Sequence, residues 1–221
     1  YQYDKAYRLV SLADPSTSSG QAGGVTGYGY DLAGNLTQTT NANLQTTNYQ
    51  YDALNRNTRI TDALCGVTTF AYDPNGNLVS AADPLNRVTG FAYDARNLNT
   101  QITDALGGVT SLTYDAVGNL TQTTNAKLQT SNYQYDPLNR LIAQTDALGR
   151  VTSFAYDPAG NLLSAADPRG GVSDFSYDDL DRLIGARNPA GETALFGYDA
   201  VGNLTSTTNP RGFVTSLAYD A

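Results

Sequence analysis

Carboxylates are the side chains with which this sequence could most readily do chemistry. Twenty of its 21 acidic residues are aspartate, and Glu192 is the single glutamate. Paired carboxylates can act as general acid and base. The densest group, Asp174, Asp178, Asp179 and Asp181, offers the oxygen ligands that Ca²⁺ takes. Because this group lacks a calcium-binding repeat pattern, we expect ordinary surface carboxylates there and no metal site.

Chemistry that depends on histidine or on paired cysteines is excluded. The chain contains no histidine, so it has neither a Ser-His-Asp or Cys-His arrangement nor a histidine ligand for a metal. Cys65 is the single cysteine, and it stands where Gly107 and Gly149 stand in equivalent segments, which favours a plain turn residue. We therefore expect no catalytic residue, no bound cofactor and no enzymatic activity.

A repeated Tyr-Asp pair explains most of the aspartates. The spacing between pairs is 21 residues from Tyr30 onward, and only the first interval differs, at 27. The pairs begin at Tyr3, Tyr30, Tyr51, Tyr72, Tyr93, Tyr114, Tyr135, Tyr156, Tyr177, Tyr198 and Tyr219. A fixed period of this length indicates a tandem-repeat architecture. The aspartates then occupy one turn position many times over, where each carboxylate accepts a hydrogen bond from the backbone N–H two residues later.

Each repeat has the pattern of a β-hairpin. Residues 151–156 alternate between two faces, which is the period of a strand. The segment from Asp157 to Gly160 has Asp first, Pro second and Gly fourth, which fits a type I turn closed by a left-handed residue. Residues 161–166 return, and 167–170 repeat the turn chemistry. The prediction is an all-β fold of tandem 21-residue hairpins forming a long antiparallel ribbon.

The last turn position supports this interpretation. After the Tyr-Asp pairs, the residues at this position tolerate positive φ, and Tyr7 is the one exception. The residues that fit are Gly34, Asn55, Gly76, Asn97, Gly118, Asn139, Gly160, Asp181 and Gly202. In the second turn of the repeat, Leu44, Cys65 and Leu128 do not fit. We expect those three turns to adopt another geometry or to carry strain.

Repeats of two types alternate, so the full period is 42 residues. One type places Gly-Asn in the turn, and the other follows the turn with an arginine: Arg8, Arg56, Arg140 or Arg182. Leu98 breaks the series at one place. The regularity predicts one continuous array over residues 1–221 with no internal boundary. The six extra residues of the first interval fall within 15–24, which predicts a mobile, Ser/Gly-rich surface loop.

The strand pattern predicts two columns of large side chains on one face of the sheet. They are Tyr28/Tyr30, Tyr49/Tyr51, Phe70/Tyr72, Phe91/Tyr93, Leu112/Tyr114, Tyr133/Tyr135, Phe154/Tyr156, Phe175/Tyr177, Phe196/Tyr198 and Leu217/Tyr219. A leucine that follows most of the Tyr-Asp turns should pack beside them. The opposite face is small and polar. A net charge of −8 argues against nucleic acid and anionic membranes as partners. No apolar run approaches the ~20 residues that span a bilayer.

Two segments carry a resemblance to a known family. Residues 114–120 read Tyr-Asp-Ala-Val-Gly-Asn-Leu, and residues 135–141 read Tyr-Asp-Pro-Leu-Asn-Arg-Leu. These segments resemble the hallmark of the RHS or YD-repeat family, and the match extends over the whole chain. The resemblance implies a β-ribbon coiled into a hollow shell or tube, which encloses a toxin in bacterial members and belongs to an extracellular adhesion protein in the teneurins. We do not see in this sequence the self-cleaving aspartate site, the toxin region or the plug domain of polymorphic-toxin members. We expect this sequence to be a segment of a longer protein.

The sequence therefore predicts a non-catalytic structural wall of a secreted or surface-exposed shell, tube or filament. Alternatives are the toxin-enclosing cocoon of a polymorphic toxin and a glycan-binding or cell-adhesion module in which the tyrosine columns stack sugars. Expected partners are other copies, end to end or side by side, an enclosed cargo polypeptide, or glycans. The residues predicted to carry the structural repeat are Tyr30, Asp31, Gly34, Tyr72, Asp73, Gly76, Tyr114, Asp115, Gly118, Tyr156, Asp157, Gly160, Tyr198, Asp199 and Gly202.

Overall fold

The structure is a computed structural model that describes residues 1–13 and 25–219, and the predicted loop at 15–24 lies outside the described residues. These residues form 21 β-strands and no helix, so the all-β hairpin prediction is confirmed. The strands are β1 Gln2–Tyr3, β2 Leu9–Ala13, β3 Val25–Tyr30, β4 Leu36–Thr40, β5 Thr46–Tyr51, β6 Asn57–Thr61, β7 Val67–Tyr72, β8 Leu78–Ala82, β9 Val88–Tyr93, β10 Asn99–Thr103, β11 Val109–Tyr114, β12 Leu120–Thr124, β13 Thr130–Tyr135, β14 Leu141–Thr145, β15 Val151–Tyr156, β16 Leu162–Ala166, β17 Val172–Tyr177, β18 Leu183–Arg187, β19 Thr193–Tyr198, β20 Leu204–Thr208 and β21 Val214–Ser216.

The chain divides into two compact units, Tyr1–Ser111 and Leu112–Ala221. In the first unit, β1 to β10 and residues 109–111 of β11 pair with their chain neighbours, and every pairing is antiparallel. In the second unit, β12 to β21 follow the same rule. Each unit is thus a meander of short hairpins, in which successive turns fall on opposite edges.

The turns are built as the sequence predicts. Gly34 N donates to the carbonyl of Asp31 at 3.1 Å, and Asp31 N donates to the carbonyl of Asn35 at 3.0 Å. Gly34 has a φ of 93°, so the turn is a type I turn closed by a residue in the left-handed region. Asn55 takes the same conformation with a φ of 61°, as does the exceptional Tyr7 with a φ of 59°.

The three second-turn residues that do not fit the sequence pattern also take the left-handed conformation. Leu44, Cys65 and Leu128 have φ values of 60°, 64° and 60°. The expectation of another geometry is therefore wrong. The alternative expectation, strain, agrees with the structure, because a left-handed conformation costs an ordinary L-residue roughly 1–2 kcal/mol.

A β-bulge recurs next to the Tyr-Asp tyrosines. In the register of β3 and β4, Tyr30 lies opposite Leu36, whereas Gly29 lies opposite Gln38, so Thr37 is the additional residue. The bulge brings the tyrosine and the leucine onto one face, as the sequence predicts. Equivalent pairs include Tyr72 with Leu78 and Tyr156 with Leu162.

Neither unit has a fully buried apolar core. Among the described residues, no hydrophobic side chain is fully buried. In β7, Thr68, Phe70 and Tyr72 are half-buried, whereas Thr69 and Ala71 are exposed. The predicted large-residue face therefore exists, but its side chains shelter one another within a single layer.

Candidate functional site

The Tyr-Asp aspartates act as turn caps. Oδ1 of Asp52 accepts hydrogen bonds from Leu54 N at 2.9 Å and from Arg56 N at 3.0 Å. In the alternate repeats, Oδ1 of Asp73 accepts from Asn77 N, and its Oδ2 accepts from Asn77 Nδ2, both at 2.8 Å. The bond to the residue two positions later was predicted, whereas the bond four positions later was not. Both carboxylate oxygens of these aspartates are engaged within their own turns.

Hydrogen bonding stabilises the charged form of these carboxylates. The side-chain amide of Asn77 is the main influence that lowers the pKa of Asp73, and burial opposes it. At Asp52 the backbone N–H and the guanidinium of Arg56 lower the pKa. A general acid needs a raised pKa near its working pH. The direction of these shifts therefore suits permanent caps and does not suit proton transfer.

In four repeats of one type, an arginine links the repeat to the one that follows. Nε of Arg56 donates to Oδ2 of Asp52 at 2.8 Å. Its guanidinium lies 4.7 Å from the ring centroid of Tyr72, a cation–π distance. Its Nη1 donates to the carbonyl of Asp73 at 3.2 Å. We call this arrangement the Arg clamp.

The Arg clamp occurs at each arginine of the alternating series. Arg8 lies 4.7 Å from the ring of Tyr30, Arg140 4.8 Å from that of Tyr156, and Arg182 4.9 Å from that of Tyr198. Their Nη1 atoms donate to the carbonyls of Asp31, Asp157 and Asp199 at 3.1, 2.7 and 2.9 Å.

Repeats of the other type make a different link. Nδ2 of Asn35 donates to Oδ1 of Asn55, the left-handed residue of the next Tyr-Asp turn, at 2.7 Å. Asn77 contacts Asn97 at 2.8 Å and Asn119 contacts Asn139 at 2.8 Å in the same way, and Asn161 donates to Asp181 at 2.6 Å. We call this contact the Asn bridge. Clamp and bridge alternate, which gives the 42-residue period a physical basis.

Tyrosine hydroxyls form a third link between repeats. Tyr72 donates to the carbonyl of Asn57 at 2.8 Å, and Tyr198 donates to that of Leu183 at 3.0 Å. The same bond joins Tyr30 to Leu9, Tyr51 to Leu36, Tyr93 to Leu78 and Tyr219 to Leu204. The hydroxyls of these tyrosines are therefore bonded to backbone carbonyls, and the rings of three of them, Tyr30, Tyr72 and Tyr198, are also covered by an arginine.

The other candidate sites are not assembled. Asp178 is paired with Arg182 at 2.7 Å, Asp181 accepts from Asn161, and Asp174 lies on β17, 3.7 Å from Arg187. Over residues 1–13 and 25–219, no three potential ligands come close enough to hold a metal. Cys65 is exposed at the left-handed position of its turn. The same part of the chain contains no helix long and apolar enough to cross a membrane.

These features define a class of protein: a tandem β-hairpin array whose repeats are joined by polar side chains. The family model described as Teneurin YD-shell matches residues 1–162, and the RHS repeat model matches 157–193 and 198–221. The chain therefore belongs to the RHS/YD-repeat family, as the resemblance predicted. No curated protein matches it.

Two solved structures are similar to this chain. One is a crystal structure of TcdB2-TccC3 without the hypervariable C-terminal region, which is 19% identical, covers 94% of this chain and has a TM-score of 0.50. Another is the Photorhabdus luminescens Tc holotoxin pore, which is 16% identical, covers 97% of this chain and has a TM-score of 0.35. The chain spans 15% of the first structure's chain and 19% of the second.

Proposed function

We propose that this chain is a non-catalytic wall segment of a secreted or surface-exposed shell or tube. The observation that carries the proposal is the use of the repeated residues. The tyrosine, the aspartate and the left-handed turn residue all take part in turns or in links between repeats, as at Tyr72, Asp73 and Asn97. A wall needs identical units that extend without interruption, and these links provide that continuity.

The proposal treats residues 1–221 as one continuous array. The fifteen predicted repeat residues, from Tyr30 to Gly202, have structural roles in it. The aspartates cap turns, and the glycines provide positive φ. The tyrosines pack on the large-residue face, and Tyr30, Tyr72 and Tyr198 donate to the preceding hairpin. Coiling of the ribbon into a closed wall is part of the proposal and is supported by membership of a family whose matched description is a YD-shell.

A second candidate function, the enclosure of a cargo polypeptide, is favoured by one structural observation. Neither unit covers its sheet with a second layer, and no hydrophobic side chain in the described part of the chain is fully buried. A single-layer wall leaves one face available to a lumen and its contents. A glycan-binding role is less favoured, because Arg8 and Arg56 lie over the rings of Tyr30 and Tyr72, and the hydroxyls of both tyrosines are bonded to backbone carbonyls.

Cryo-electron microscopy of the protein in its natural length tests the proposal. We expect a curved β-wall around a cavity, with the repeats of this chain forming part of that wall. Density within the cavity would support the cargo role. A compact globule, or a short flat sheet with no cavity, would contradict the wall. The coding sequence on both sides of the segment adds a separate test, because a toxin-enclosing cocoon requires a toxin and a self-cleavage site downstream.

A further inference from the structure

We infer that Asn75 is a site of spontaneous deamidation, and that this modification weakens one particular link between two repeats. Asn75 and Gly76 form the only Asn-Gly pair in the chain. They are the third and fourth residues of the turn that Asp73 caps, and both are exposed to water. The inference concerns a chemical change within a turn and is independent of the proposed wall function.

Glycine after the asparagine favours the reaction, because it has no side chain to hinder its backbone nitrogen. That nitrogen attacks Cγ of Asn75 and forms a C–N bond, and the side-chain amide leaves as ammonia with the proton of the attacking nitrogen. The product is a cyclic imide. Water opens the imide at either carbonyl and yields aspartate, or isoaspartate in which the backbone runs through the side chain. Water is the co-reactant, and no oxidant or reductant takes part.

Other asparagines of the Tyr-Asp turns are followed by bulkier residues. Asn55 and Asn139 precede arginine, and Asn35, Asn77 and Asn97 precede leucine. A long or branched side chain on the following residue hinders the approach of its backbone nitrogen to Cγ. We therefore expect these asparagines to react much more slowly than Asn75.

The amide of Asn75 takes part in the link to the next repeat. Its Nδ2 donates to Oδ1 of Asn97 at 3.0 Å, and Nδ2 of Asn77 donates to the same oxygen at 2.8 Å. The Asn bridge is therefore doubled at this place. Equivalent turns have no side-chain donor at the third position, where they hold Ala33, Val117, Ala159 and Val201. The modification thus falls on a side chain that joins two hairpins.

Deamidation removes one hydrogen bond of this link. The new carboxylate at position 75 only accepts hydrogen bonds, and it faces another acceptor, Oδ1 of Asn97. If the Asn97 amide turns over, its Nδ2 can donate to the carboxylate, but Asn97 then loses the bond from Asn77. One bond is lost in either orientation. Isoaspartate also lengthens the backbone of the turn, which disrupts the bond from Gly76 N to the carbonyl of Asp73.

The same contacts control the rate of the reaction. The attacking nitrogen of Gly76 donates to the carbonyl of Asp73 at 3.0 Å, and the amide that it must reach is held by Asn97. Both bonds break before the ring closes, so the folded chain reacts through local opening of this turn. A hydrogen bond of ordinary strength changes such an opening equilibrium about fivefold.

Peptide mapping by mass spectrometry, during incubation of the 221-residue chain at mildly alkaline pH, tests the inference. We expect wild type to convert at Asn75 before any other asparagine, and to convert faster when it is unfolded in urea. Asn97→Gly removes the acceptor at a φ of 62° that glycine also adopts, so it should raise the rate about fivefold. The matched control Asn139→Gly removes the equivalent acceptor for Asn119 and should leave the rate at Asn75 unchanged.

Urea unfolding of fresh and aged protein measures the consequence. Aged wild type should have a lower urea midpoint, whereas aged Asn75→Gln should match its fresh form, because a Gln-Gly pair cyclises far more slowly. Circular dichroism shows whether each variant keeps its β content.

Earlier conversion at another asparagine would overturn the inference, as would an intact Asn75 after the urea-unfolded chain has converted completely. Equal rates in wild type and Asn97→Gly, or equal acceleration by both glycine variants, would overturn control by the doubled bridge. A midpoint that does not change on conversion would show that the link is not weakened. Each of these results would leave the wall function standing.

Discussion

The guanidinium of Arg56 lies 4.7 Å from the ring centroid of Tyr72, a residue of the next repeat. The same arginine is bonded to the cap of its own turn, Asp52, and to the carbonyl of Asp73. One side chain thus joins two hairpins through charge, ring and backbone. In a sheet without a fully buried core, such side-chain contacts add to the backbone pairing that couples neighbouring repeats.

Removing one Arg clamp should destabilise the array measurably. We expect Arg56→Gln to lower the free energy of unfolding by about 0.5–1 kcal/mol from the lost cation–π contact alone. Urea unfolding followed by circular dichroism measures the change. The control is Arg87→Gln, since Arg87 pairs with Asp83 on the opposite edge and its side chain is 62% exposed. Equal losses in the two variants would show that the contact with Tyr72 contributes nothing.

Glycine at a left-handed leucine should stabilise the chain. Leu44 has a φ of 60°, and replacing it with glycine removes a strain of roughly 1–2 kcal/mol, offset in part by the greater freedom of the unfolded chain. We expect a net rise in the urea midpoint for Leu44→Gly. The neighbouring variant Asn43→Gly lies at a turn position without positive φ and should lower the midpoint. A fall for Leu44→Gly would contradict the left-handed assignment.

Asn57 occupies a position where most repeats place leucine. Its side-chain oxygen is buried and has no hydrogen-bond partner, whereas its backbone carbonyl accepts from Tyr72. Asn57→Leu should therefore raise the unfolding free energy by about 1–2 kcal/mol, because it removes an unsatisfied acceptor and keeps the carbonyl. Thermal unfolding measures the effect. The reverse change at the equivalent Leu78, Leu78→Asn, should be destabilising, and the idea fails if both variants shift stability in one direction.

The capping aspartates predict how stability depends on pH. Hydrogen bonds lower the pKa of Asp73 and Asp157 in the folded chain from an ordinary value of 3.8. Their contribution is therefore fully present above pH 3.8 and is lost as the pH falls through the lower folded-state pKa. Stability should change little with these groups between pH 7 and 5 and decline below about pH 4.

Asparagine caps provide the control for this acid transition. Asn41 and Asn125 already cap turns of the second type through Oδ1. The double variant D73N/D157N should fold at neutral pH and lose less stability between pH 5 and 3 than wild type. An unchanged acid transition in this variant would show that other groups control it.

The sequence predicted the hairpins, the turn conformation and the large-residue face, because each depends on residues close in the chain or on a simple strand period. It did not predict the Arg clamp or the Asn bridge. These join Arg56 to Tyr72 and Asn35 to Asn55, and both contacts depend on strand register and on side-chain direction. The alternation of arginine with Gly-Asn was visible in the sequence, but its physical meaning required the geometry of two adjacent turns.

Local polar links between neighbouring repeats couple the hairpins of this single-layer sheet. Hydrogen exchange with mass spectrometry, applied to wild type and to Arg56→Gln, measures that coupling repeat by repeat. We expect protection in strands of both units for wild type, and a loss confined to the repeats around 52–77 in the variant, with 136–161 around the intact Arg140 clamp unchanged. A uniform loss over the whole chain, or no loss near Tyr72, would show that these links do not act locally.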